Sequence, residues 1–177
     1  MRCVTIDEAR QTLATLLGAD GMPRRGEPDM LGGLFYFGDE CLANAYWVAL
    51  RLIEVLGPWE DAWLWLNKPD TSKRYGLHMY QRLRQSYEDF RLIEEAPVHW
   101  FRGYEHADLC TFLTVALLSE WSLYLLTFEG YGQVFVSQSS GAEVWVRGQR
   151  QLDALAASLK SHRIEMRTTP FQPNSPQ

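Results

Sequence analysis

Three residues within five positions, His106, Asp108 and Cys110, hold the most obvious chemistry in this chain. On a helix, His106 and Cys110 are i, i+4 neighbours on one face. An imidazole beside a thiol near a helix N-terminus can make a thiolate nucleophile, since base and helix dipole both favour the charged sulfur. The same face, however, continues through Leu113 and Leu117 and is needed for a core. A free Cys on such a face is ordinarily inert packing. Asp108 falls on the opposite stripe with Thr111 and Ser119, where it does not orient His106. The expectation is therefore no catalytic residue. A small enzyme using His106 with Cys110, or with His99, is the alternative.

A zinc site sketched from His99, His106 and Cys110 follows no compact ligand spacing, so no metal or cofactor is expected. Neighbouring carboxylates occur at Asp39/Glu40, Glu60/Asp61 and Glu94/Glu95. Adjacent side chains diverge on a helix or a strand, so adjacency alone makes no acid–base dyad. Glu60 and Asp61 differ from the other pairs because they lie between Trp59 and Trp63. Indole bodies interleaved with acids suit a recognition surface, and Trp59, Glu60, Asp61 and Trp63, together with Trp47, are the expected partner-binding residues. Phosphate-binding glycine loops, the serine-nucleophile elbow and the zinc-protease helix motif are absent from the sequence.

Charge narrows the partners. The formal net charge is -5, yet positions 73–91 carry +3, leaving -8 for the remainder. An acidic chain is a poor general binder of nucleic acid or anionic membrane, and a cationic protein fits it better. The basic 73–91 segment, with Tyr75, Tyr80 and Tyr87, leaves a nucleic-acid-associated factor as a further alternative. Seven Trp, eight Tyr and eight Phe are more aromatics than one core of this size requires. An acidic, aromatic-rich module without a catalytic motif resembles bacterial immunity or inhibitor proteins in general character. That similarity implies a basic protein partner such as a toxin.

The elements that must position these residues read as α+β. Thr5-Ile6-Asp7-Glu8 has capping-box spacing and predicts a helix over 6–17. Residues 18–33 hold five Gly and two Pro and predict a long loop, mobile or partner-binding. Helices are expected over 39–56, 75–89, 106–118 and 148–161. Trp47 falls among polar positions of the helix over 39–56. Strands are expected over 34–37, 62–66 and 98–101, and a meander over 122–147. In the strand over 62–66, Trp63 and Trp65 share one face and Ala62, Leu64 and Leu66 the other, which marks an inner strand covered on both sides. The whole predicts an antiparallel sheet of about four to six strands, with three to five helices packed mainly on one face. One globular domain should span 1–161, with a flexible tail over 162–177. Three cysteines without disulfide spacing suit a reducing cytoplasm. Asp7, Glu8 and Arg10 interrupt any apolar signal segment, and the longest apolar run, 107–128, carries Asp108 and Glu120 and changes from helix to strand pattern midway, which marks it as core and not a membrane span.

Overall fold

The computed structural model describes residues 1–26, 29–36, 43–69, 74–127, 132–137, 141–162 and 164–167. The architecture is α+β: an antiparallel eight-stranded sheet with helices on both faces. In chain order the strands are β1 (Arg2–Val4), β2 (Leu31–Tyr36), β3 (Asp61–Lys68), β4 (Val98–Arg102), β5 (Ser122–Thr127), β6 (Gly132–Ser137), β7 (Gly141–Val146) and β8 (Glu165–Arg167). They lie in the order β1-β4-β3-β5-β6-β7-β2-β8. The predicted meander is β5-β6-β7. The count exceeds expectation because β1 joins β4 and β8 joins β2 at the two edges. Each edge strand has three residues, too few for a periodicity to be read.

Both faces of the sheet are apolar because both are covered. Along β3, Ala62, Leu64 and Leu66 enter one core, while Trp63 and Trp65 enter the other. The same alternation divides Leu123 and Leu125 from Tyr124 and Leu126 on β5. Among the described residues four α-helices cover the first face: α2 (Ala45–Val55), α3 (Arg74–Gln85), α4 (His106–Leu118) and α5 (Gln149–Lys160). The short helix α1 (Ile6–Thr12) covers part of the second.

The centre of the thick side is α4. It packs on both α2 and α3 and buries Leu109, Cys110, Phe112, Leu113, Val115, Ala116 and Leu117. Each large apolar side chain so buried contributes about 1.5–3 kcal/mol. The helix ends in a Schellman motif: Trp121 N–H donates to Ala116 O at 3.1 Å, and Glu120 N–H donates to Leu117 O at 3.0 Å. Gly76 looks out of place in a helix until its neighbour is considered. A Cβ there would stand 1.9 Å from Ser119 Oγ, so α3 can meet the end of α4 only through a glycine. Ser119 is correspondingly buried, not on a polar stripe.

Several expectations need correction. The first helix stops at Thr12 and continues as a 3-10 turn, Ala14–Leu16. Helix α3 ends at Gln85 instead of 89, because Glu88 takes a left-handed conformation (φ 62) that lets Asp89 N–H cap Arg84 O at 3.2 Å. Strand β4 is internal, and Pro97 does not interrupt it because it precedes the first strand residue. The tail assignment is wrong at its start: Ile164 is buried and Glu165–Arg167 pair with β2. Positions 168–177, like the 39–42 part of the predicted second helix, lie outside the described residues.

The glycine-rich loop is also not free along its described length. Leu17 bridges Pro23, and Arg24 Nε donates to Leu17 O at 2.8 Å. Arg25 lies 4.0 Å over the Phe135 ring and 3.5 Å from Glu143. Gly26, at φ 73, donates its N–H to Gln133 Oε1 at 3.2 Å. A Cβ on Gly26 would stand 2.6 Å from Trp145. The loop is the cover of the second core, and its glycines let the backbone lie close against the Trp.

Candidate functional site

Of the thiol and imidazole candidates, the thiol is sealed in the core. Cys110 is 1% exposed; its Sγ donates to Tyr46 O at 3.8 Å, and burial raises its pKa. His106, half-buried, instead stacks on Trp59, ring centres 5.9 Å apart and planes 10° from parallel. Asp108 lies by the Tyr87 hydroxyl. The chain does set one Cys opposite one His, but elsewhere: Cys3 and His99 are register partners across β1 and β4. Burial pushes the Cys3 thiol up to about 11. Burial, aided by the Arg84 cation, pushes His99 down to about 3. Both shifts favour the neutral forms, the opposite of a thiolate–imidazolium pair. His99 packs against Tyr80 and Phe112, apart from the Trp59–His106 stack. Among the described residues no three His, Cys, Asp or Glu side chains group to hold a metal.

The basic segment is divided in the same way. Arg82 is exposed, but Arg84 is fully buried and bound to Asp89 at 3.0 Å. Tyr80 is fully buried as well. Their side chains belong to the core and are closed to a phosphate or a base. Arg84 and Tyr80 are thereby withdrawn from the 73–91 segment that the nucleic-acid alternative would use.

The expected partner-binding residues separate into three groups. Trp63 is 4% exposed and packs in the second core, so only an edge of it, lining a cleft, is open to a partner. Trp47 is half-buried beneath His162, stacked at 3.6 Å, with the Arg51 guanidinium 5.3 Å from its ring. Trp59, Glu60 and Asp61 remain at the surface at the start of β3. Trp59 is half-buried on His106, and Glu60 is exposed. The Glu60 carbonyl accepts Gly103 N–H at 2.7 Å, which ties this segment to the turn after β4. A Cβ on Gly103 would stand 3.0 Å from Trp59 O, so the close approach depends on glycine. Tyr104, the next residue, is 83% exposed. Asp61 accepts Trp100 Nε1–H at 2.8 Å.

Tyr104 and Trp100 were not expected in the site. Tyr104 is distinguished only by its exposure, and Trp100 enters through the β3–β4 register, which opposes it to Trp63. Neither property is visible in a linear sequence. No family model, curated protein or solved structure matches the chain. No described helix is long and apolar enough to cross a membrane.

Proposed function

We propose that this chain is a non-catalytic cytoplasmic interaction module that binds a basic protein, in the manner of an immunity or inhibitor protein facing a toxin. The observation that carries the reading is the held aromatic–acid rim at the β3–β4 end. There Trp59 rests on His106, the Glu60 carboxylate is exposed beside it, and Tyr104 projects from the turn bonded to the Glu60 carbonyl. A Trp or Tyr fixed before binding gives contact area at little entropic cost. Acids beside it steer a cationic partner, and the net charge of -5 acts in the same direction.

The test starts with a partner captured from the native host and then purified. Its affinity is measured by titration calorimetry against the unaltered chain, Glu60→Lys and Tyr104→Ala. The reading expects each variant to weaken binding by about tenfold or more, with melting temperatures unchanged. Equal affinities for all three would overturn it.

A further inference from the structure

On the thinly covered face, beside the rim, α1 and strands β1, β4 and β3 enclose a cleft of about 460 Å³. That is a size suited to a small molecule or one long side chain. Its α1 wall carries Glu8, Gln11 and Thr12, at the i, i+3, i+4 spacing that lines one helix stripe. Across from it, Trp63 and Trp100 stack in parallel at 5.6 Å, planes 9° apart. Arg2, Val4 and Asp61 complete the lining.

The charges in the cleft do not balance. Glu8 is matched by Arg2 at 3.1 Å. Asp61 receives only the neutral Trp100 N–H, and no described cation pairs with it. The indole N–H of Trp63, a lining residue, finds no acceptor among the described residues. A carboxylate short of a cation beside parallel indoles is the chemistry that receives a guanidinium, which stacks on an aromatic face and bonds a carboxylate in one plane. The Arg102 guanidinium already lies 5.2 Å from the Trp100 ring centre, so this indole accepts such a neighbour.

We infer that the cleft of Asp61, Trp63, Trp100 and Glu8 receives an arginine side chain presented by the partner protein. This rests on the protein-binding reading and adds a definite anchor to it. Arginine rather than lysine follows from the flat indole and the carboxylate together, since an ammonium is better hydrated and does not stack.

The test follows the indole N–H resonances of the full chain by NMR while acetyl-arginine-amide, acetyl-lysine-amide or acetyl-citrulline-amide is added. The Trp63 and Trp100 signals should shift saturably with the arginine compound, about tenfold more weakly with lysine, and not with neutral citrulline. Asp61→Asn keeps an acceptor for Trp100 Nε1–H while removing the charge, and should abolish the shifts. Asp153→Lys, exposed on α5 across the sheet, should retain them. Equal response to citrulline, no response to arginine, or shifts surviving in Asp61→Asn would each overturn the inference. The two proposals fail separately. Partner binding lost in Glu60→Lys while the cleft ignores arginine removes only the inference. Arginine held in the cleft while partner affinity is unmoved by Glu60→Lys and Tyr104→Ala removes the rim reading.

Discussion

The two faces of the sheet differ in what covers them and in what they do with reactive side chains. Four helices close the first face, and beneath them lie Cys3, Cys110, His99, Tyr80 and Arg84, all 4% exposed or less. A seven-residue helix and a loop cover the second, and there a cleft remains open beside paired indoles. Groups with chemical potential were thus placed where desolvation keeps them neutral or paired. The paired indoles Trp63 and Trp100 and the Asp61 carboxylate lie where cover is thin. A reactive residue type carries meaning only together with its dielectric surroundings.

That contrast can be broken most forcefully at the buried cation. Arg84 has Asp89 as its ion partner, and its Nε and Nη1 find no partner among the described residues. Asp89→Ala leaves a charge sealed among apolar groups and should cost about 3–5 kcal/mol, read as a lower urea midpoint. A loss under 1 kcal/mol, the ordinary worth of a surface pair, would mean that the four-helix side admits water.

The thin side should respond to a change of cover instead of charge. Gly26→Ala places a Cβ against Trp145 at a backbone angle alanine adopts reluctantly, and a cost of about 1–3 kcal/mol is expected in the same measurement. No change would show that the loop does not hold the second core.

A pH-dependent effect, modest near neutral pH, tests the sealing of His99. Held down to about 3 when folded, it takes up a proton in the unfolded chain below about pH 6.5. Between those values the unfolded state binds more protons, so stability falls as pH is lowered, by up to about 1.4 kcal/mol per pH unit. Denaturant midpoints measured across this window should show that slope, and His99→Phe should flatten it. An identical slope in the variant would assign it to other groups.

The sequence carries the long elements well and the edges poorly. Periodicity places α4 at its observed bounds, and the alternation of Trp63 and Trp65 with Ala62, Leu64 and Leu66 marks β3 as internal. Strands β1 and β8 are too short to show alternation and form only because β4 and β2 present free edges. Loop composition misleads at Gly26, since a glycine that permits mobility also permits close packing. At the candidate site, Trp59, Glu60 and Asp61 were legible as aromatics interleaved with acids. The sequence does not disclose that Trp63 turns inward while Tyr104 turns outward, because exposure depends on which strands become neighbours.

We propose that recognition belongs to the β3–β4 end and not to the basic helix. Amide hydrogen exchange of the chain, free and bound to its purified partner, tests it most directly. Slowed exchange confined to residues 59–61 and 102–106 and to the α1 wall of the cleft is the expected footprint. Protection confined to α3 and residues 86–92, with the β3–β4 end unchanged, would contradict it.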